Sequence, residues 1–246
     1  MITVNQLIPD SRTLSMTLYI SLDDTDTLDS RGTGRLAREI ARQLMESGYR
    51  VNGVSRHQLL VHHDIPFTSH NSCAVIHLEN GTDPGQIFEQ VRNIMADDFI
   101  EGSDPGLAIA RKEDIHSSIM EFGLRAKQEV LTQETARDLA RCRGVVLEGL
   151  GGTNGGIIGA MAGLGLAATG NDGRYVLLGN LRGLSGDIPV ERLLDSGIAR
   201  VSTCSGEEIK NGTVRVRKFP KPSIRGGKPV LFAEEKDGIL CEVILD

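Results

Sequence analysis

The run IIGAMAGLGLAA, residues 157–168, is apolar without interruption and carries glycine at positions 159, 163 and 165. A helix that is hydrophobic all round has to be covered on every side, and its glycines let neighbouring backbones come close. At 1.5 Å per residue the run reaches about 18 Å, short of the roughly 30 Å of a bilayer's hydrocarbon core. It is expected as a buried helix in a layered protein, and no membrane partner is expected.

The segment ahead of it fixes the local plan. GVVLEG supplies an apolar strand at Val145 to Leu147, GLGGTNGG a polar loop, and the helix follows from near Gly156. The same plan stands earlier in the chain. LYISL (residues 18–22) sets Leu18, Ile20 and Leu22 against Tyr19 and Ser21, the period of a half-buried strand. The turn LDDTDT follows, and after Arg31-Gly32-Thr33-Gly34 the segment RLAREIARQLMES places Leu36, Ile40 and Leu44 on one helical face before Gly48.

Between and after these units the pattern keeps alternating. CAVIHLE (73–79) reads as a strand and PGQIFEQVRNIMADDF as a helix burying Ile87, Val91 and Ile94 or Met95. LAIA after Asp104-Pro105-Gly106 is a short strand, and EDIHSSIMEF a helix with Ile115, Ile119 and Phe122 inward and Gly123 as its stop. TQETARDLARC is a helix capped by Thr132. From Arg174 onward short strands surround one short helix near Pro189 to Leu194 and end in ILCEVIL. The expected fold class is α/β (α+β), a compact two-lobed chain with mixed sheets flanked by helices. Its expected lobes are residues 1–140, with the acidic turn, and 141–246, with the glycine-rich loop and short strands.

The formal charge of −6 lacks the basic surplus of a protein held to nucleic acid by phosphates, and aromatics make up only 4% with no Trp. Both favour a small-molecule partner. Cys73, Cys142, Cys204 and Cys241 stand too far apart for a zinc ribbon or a disulfide framework. With a start, MITVNQLIPDSRTLSM, that lacks a basic and an apolar signal region, they point to a reduced, cytoplasmic protein.

The acidic turn crowds Asp23, Asp24 and Asp26 into four positions. Two such charges about 4 Å apart repel by roughly 1 kcal/mol in water and several times that near a protein surface. Mg²⁺, a hard cation usually held by one or two carboxylates plus substrate phosphates, would offset the repulsion. An Asx-turn that starts the helix is the plainer alternative. In GLGGTNGGIIGA, the residues Gly151, Gly152, Thr153, Asn154, Gly155, Gly156 and Gly159 offer close backbone approach to an anion at a helix N-terminus, or simple turn chemistry. It is not a Walker loop, because Ile157 follows where lysine would stand. Carboxylates for Mg²⁺ and amides for phosphates are together the two halves of a nucleotide-triphosphate site.

Two further stretches carry polar chemistry. VHHDIPFTSHNSCAV holds His62, His63, Asp64, His70 and Asn71. Adjacent histidines on an extended segment point to opposite faces, so a polar loop offering Asn71 to substrate is preferred over a transition-metal cluster. TVRVRKFPKPSIRGGK reads as a solvated edge strand or a phosphate or RNA contact.

LDDTDT, IPFTSHNSCAV, SDPG (103–106) and GGTNGGIIGAMAGLG together resemble the catalytic region of the archaeal tRNA-isoleucine agmatinylcytidine synthetases, in order, over about residues 18–178. The resemblance implies ATP and Mg²⁺ as cofactors, Asp23, Asp24 and Asp26 as the acidic signature, Gly151 to Gly159 as the phosphate loop, and Asn71 and Asp104 beside them. It implies tRNA as a partner, although the family's OB-fold and zinc ribbon are not matched. Where the family has Gly-Met-Cys-Thr-Thr, whose threonine is phosphorylated, this chain has Gly32-Thr33-Gly34-Arg35-Leu36.

The expectation is an ATP- and Mg²⁺-dependent phosphoryl-transfer or ligase-type enzyme acting on a small polar acceptor. Asp23 and Asp26 would hold the metal and Asp24 would orient a ligand or act as base. A nucleotide-binding module without catalysis, and tRNA modification, are the alternatives. The two loops are expected to face each other across one cleft, with Asn71 and Asp104 on its rim.

Overall fold

The computed structural model describes residues 17–27, 32–65, 70–79 and 83–245. The chain start, Arg31 and positions 66–69 of the IPFTSHN stretch lie outside the described residues.

Strand β1 (Thr17–Asp23), helix α1 (Thr33–Glu46), strands β2 (Arg50–Gln58) and β3 (Ser72–Glu79), helix α2 (Pro84–Asp97) and strand β4 (Gly106–Arg111) come first. Their sheet order is β4-β1-β3-β2, every neighbouring pair antiparallel, which is a split βαβ arrangement. Leu18, Ile20 and Leu22 of β1 pack with Ile40 and Leu44 of α1 and Ile87 and Val91 of α2.

The opposite face of β1 was expected in solvent. Instead Tyr19, Ser21 and Asp23 are buried as well. The cover comes from α5 (Ile157–Thr169), which packs on β1, β3 and β4 with α3 (Ser117–Arg125) and α4 (Gln133–Arg143) around it. Glycine is what lets α5 sit so close: a Cβ at Gly163 would stand 2.2 Å from Ser21 Oγ. Strand β5 (Val146–Gly149) pairs with β4, so the chain beyond residue 140 returns to the same sheet before leaving it.

Strand β6 (Arg174–Leu177) pairs with β2 and carries the sheet into the second lobe. That lobe comprises β7 (Gly186–Pro189), α6 (Val190–Asp195), β8 (Arg200–Ser202), β9 (Thr213–Val216), β10 (Ser223–Arg225), β11 (Lys228–Lys236) and β12 (Ile239–Val243). The whole order is β5-β4-β1-β3-β2-β6-β10-β11-β12-β9-β7, with β8 parallel to β11. The sheet is mixed, flanked by helices and not closed into a barrel. Leu181, Val190, Leu193, Val214 and Leu231 form the second lobe's own core.

Several elements differ from the sequence expectation. EDIHSSIMEF breaks into a 3₁₀ turn (Lys112–Asp114) and α3, because the His116 side chain caps the new helix by accepting from the Ser118 N–H. Gly123 does not stop α3; it lies inside it, where a Cβ would meet the Ala162 carbonyl oxygen of α5 at 2.7 Å. Strand β2 was not anticipated at all. The basic strand β9 is not an edge, since β7 lies outside it.

Candidate functional site

Because β3 and β4 run antiparallel to β1, the ends of β1 and β2 and the starts of β3 and β4 share one edge of the sheet. The loops at this edge are joined by main-chain hydrogen bonds. The Asp104 N–H donates to the Asp24 carbonyl (3.1 Å), the Gly156 N–H to the Asp104 carbonyl (3.0 Å), and the Leu150 N–H to the Pro105 carbonyl (2.8 Å). A Cβ at Gly156 would stand 2.3 Å from the Asp104 carbonyl oxygen, and one at Gly159 would stand 1.7 Å from Asp23 Oδ2. Glycine is needed at both positions so that the N-terminus of α5 can rest on the acidic turn.

The loops enclose a cavity of about 180 Å³. Its lining combines a polar set, Asp23, Asp24, Asp26, Thr33, Asp104, Thr153, Gly155, Gly156 and Gly159, with an apolar one, Leu59, Ile65, Ala126, Val130, Leu131 and Ile158. Asp64, His70, Asn71, Ser72 and Glu129 line it as well. Among the described residues, no lysine or arginine lines it. The N-terminal end of α5 supplies partial positive charge there instead.

Each aspartate has a different situation. Asp23 is buried, and its carboxyl is pushed up to about 8 by burial and then by the neighbouring charges of Asp24 and Asp26. Asp24 is raised to about 6 by burial and then by Asp104 and Asp26. Its backbone is left-handed, at φ 51, a conformation costly for a non-glycine residue. Asp26 accepts from the Thr33 N–H (3.2 Å) and the Thr33 hydroxyl (2.8 Å), at the first turn of α1. Asp26 thus ties the acidic turn to the start of α1 across seven residues, a longer link than an Asx-turn, while Asp23 is buried and Asp24 half-buried beside it.

The other expected site residues divide in the same way. Asp104 lines the cavity, and its carboxylate reaches the glycine loop, accepting from the Thr153 N–H and, at 2.6 Å, from the Thr153 hydroxyl. Asn71 lines the cavity, but its amide donates to the Leu60 carbonyl (2.6 Å) and its own carbonyl accepts from the Leu59 N–H, so it ties β2 to β3. Gly151, Gly152 and Asn154 do not line the cavity. Gly151 lies under the Phe99 ring, Gly152 (φ 58) under the Asp104 carboxylate, and Asn154 (φ 63) turns its side chain onto Gly149.

His62 and His63 do not point apart. The segment turns at His63–Asp64, and the two rings lie 4.2 Å apart. In the basic stretch, Arg215 is committed to Asp187 through two hydrogen bonds of 2.7 and 2.9 Å.

Sequence reasoning missed Thr33 as a lining residue, and it missed a buried polar chain. Lys127 contacts Asp172, which bonds His57 Nδ1 (2.9 Å); Ser55 Oγ then bonds both His57 Nε2 (2.8 Å) and His77 Nε2 (2.7 Å). The signal was Ser55 and His57 two apart, hence on one face of a strand.

No protein-family model matches the sequence, and no curated protein does. Solved structures match the fold. This chain is similar in fold to part of TiaS. Apo TiaS, a tRNAIle2 agmatidine synthetase, aligns with a TM-score of 0.54 at 19% identity, covering 61% of this chain and 35% of TiaS. A tRNA fluorescent labeling enzyme gives 0.55 at 22%, and TiaS bound to tRNA(Ile2), AMPCPP and agmatine gives 0.53 at 22%, each over 61% of this chain and 36% of the other. The chain thus spans about a third of the length of TiaS, and at these identities the likeness establishes the fold.

The residues present fit a hard divalent cation with phosphate. The acidic turn and Asp104 offer carboxylate oxygens, two of these carboxyls are held above their usual range by burial and then by neighbouring carboxylates, and the N-terminal end of α5 lines the same cavity. The aspartates are not a preassembled cage. Among the described residues, the only three ligating side chains with donor atoms within 4.8 Å of one another are His62, His63 and Asp64.

Proposed function

We propose that the chain is an ATP- and Mg²⁺-dependent enzyme of the phosphoryl-transfer or ligase type, acting on a polar acceptor. The observation that carries this reading is the junction of the acidic turn with the start of α5 through Asp104, in a cavity lined, among the described residues, by no lysine or arginine. Asp23 and Asp24 would hold Mg²⁺, which when bound would neutralise phosphate charge. Asp26, bonded to Thr33, would keep the turn in place beside the metal. The Gly155–Gly159 end of α5 would face the phosphates. At about 180 Å³ the cavity is below the roughly 300–1,000 Å³ usual for small-molecule pockets, so it suits a phosphate chain and its metal rather than a whole nucleotide.

Calorimetry with Mg²⁺ and a non-hydrolysable ATP analogue tests this. Saturable binding that requires Mg²⁺ and is lost in Asp23→Asn is expected; no binding to the folded protein would end the reading. ATP bound but never consumed, with amines and nucleosides offered, would turn it into the non-catalytic nucleotide-binding module.

A second reading, tRNA as the acceptor, is favoured by the fold neighbours, which the comparisons describe with tRNA, ATP and agmatine. A basic group beside the cavity favours it too. Arg38 of α1, five residues beyond the cavity-lining Thr33, lies close enough to Arg182 and to Arg35 for the charges of both to act on it.

A further inference from the structure

We propose that His62, His63 and Asp64 form a binding site for a borderline transition-metal ion, of the Zn²⁺, Co²⁺ or Ni²⁺ class, at the mouth of the acidic cavity. Their donor atoms lie within 4.8 Å of one another. His62 Nδ1 is 3.6 Å from Asp64 Oδ2 and His63 Nε2 is 3.2 Å from Asp64 Oδ1. Zinc bonds of about 2.0–2.1 Å to nitrogen and oxygen, set tetrahedrally, give a ligand-to-ligand edge of about 3.3 Å, so each imidazole nitrogen already stands near that separation from one oxygen of the carboxylate, and a small turn of the carboxyl group would set one oxygen against both.

The turn at His63–Asp64 is what brings this about. It brings the two imidazoles into tilted contact and sets a carboxylate oxygen against a nitrogen of each, with the Asp64 N–H donating to His62 Nδ1 (3.2 Å). That acceptor role makes Nδ1 the unprotonated nitrogen of His62, the form that ligates a metal, and an ion bound there would take the place of the N–H contact. Three protein donors leave a fourth position open to water or ligand, as in catalytic rather than structural zinc sites.

Donor chemistry separates this site from the aspartates deeper in. Two nitrogens and a carboxylate suit imidazole-seeking metals, whereas Mg²⁺ prefers oxygen alone. Asp64 belongs to both places, because it also lines the cavity. A divalent ion on it would put positive charge at the entrance of a cavity lined, among the described residues, by six carboxylates, those of Asp23, Asp24, Asp26, Asp64, Asp104 and Glu129, and by no lysine or arginine. An anionic ligand would gain most from that charge.

The test uses the purified full chain, free of nucleotide and with Mg²⁺ in excess. Co²⁺ is titrated by its visible absorption and then displaced with Zn²⁺, for the wild type, the double variant His62→Ala/His63→Ala, and Asp23→Asn. One equivalent of Co²⁺ is expected, displaced by Zn²⁺ and not by Mg²⁺, with affinity reduced by more than about tenfold in the histidine variant and unchanged in Asp23→Asn. Both histidines are solvent-accessible, with side chains 36% and 82% exposed, so melting of the metal-free variant should match wild type. No saturable Co²⁺ or Zn²⁺ binding, or equal binding by the histidine variant, would overturn the proposal and leave plain imidazole–carboxylate pairs. Because Asp23→Asn is the variant that destroys the nucleotide site, failure there and failure at the rim are read separately.

Discussion

Asp23 and Asp24 are neighbours in sequence that share one desolvated corner, and their titration gives a signed prediction. Burial first, then the charges of Asp24 and Asp26 at Asp23 and of Asp104 and Asp26 at Asp24, raise the folded-state values to about 8 and about 6. Between an unfolded value near 4 and those values the folded chain holds protons that the unfolded chain releases, so stability must fall as pH rises through that window. Metal-free protein is expected to melt several degrees lower at pH 8 than at pH 5, with Asp23→Asn flattening the slope and raising the pH 8 melting temperature. Mg²⁺ should stabilise more at pH 8 than at pH 5. Scanning calorimetry across that range checks it, and a melting temperature that climbs with pH would contradict the assignment. Asp172 works in the opposite sense: burial raises it, but hydrogen bonds from His57 and Lys127 outweigh that and hold it low, so its contribution disappears only in acid. The crowding of the three aspartates was legible in the sequence, since repulsion needs only adjacency. Their division of labour was not, because it depends on where Thr33 and Thr153 arrive in space.

At the scale of elements, the uninterrupted apolar run did announce a buried helix, and its glycines did announce close packing. What the run could not disclose is which surfaces it meets. Gly163 faces the Ser21 hydroxyl of β1, and a Cβ at Gly165 would stand 2.0 Å from the Ile119 carbonyl oxygen of α3. A side-chain hydroxyl can rotate away and a helix backbone cannot. Gly165→Ala is therefore expected to destabilise by more than the roughly 1–3 kcal/mol usual for overpacking, and Gly163→Ala by less than Gly165→Ala. Urea unfolding measures both, and a neutral Gly165→Ala would refute the packing argument. Strand β2 escaped notice for a related reason. RVNGVSRHQ has little apolar content, and its buried Ser55 and His57 are polar residues satisfied by Asp172 and His77 from other elements. Breaking that chain with His57→Ala leaves Asp172 and Ser55 each short of a partner inside the core. A loss of about 2–4 kcal/mol is expected by the same measurement, with no effect on Mg²⁺ binding, since no member of the chain lines the cavity.

Across the whole molecule, the formal charge of −6 is an average over two unlike regions. The cavity gathers carboxylates, while basic groups gather beside it. Burial, then Arg182 and Arg35, lower the Arg38 value, and Arg182 lies 4.2 Å over the Phe219 ring, which Lys221 approaches from 5.2 Å. Lys218 adds its charge to the field at Lys221. This group joins α1 to the second lobe, so it exists only in the folded chain, and net composition, which argued for a small-molecule partner, could not reveal it. If tRNA is the acceptor, its phosphates should lie here, each contact adding about 0.7–0.9 to the slope of log affinity against log salt. Arg35, Arg182 and Lys218 are exposed, so the triple alanine variant should fold normally and lose about two units of that slope. Arg215→Ala is the control: its guanidinium is already bound to Asp187, so it should leave the slope unchanged although it lies in the most basic stretch of the sequence. Filter binding of tRNA over a salt series measures all three proteins. Equal slopes for the wild type and the triple variant would remove RNA from this surface, and the acceptor would then have to be a molecule small enough to be held by the cavity alone.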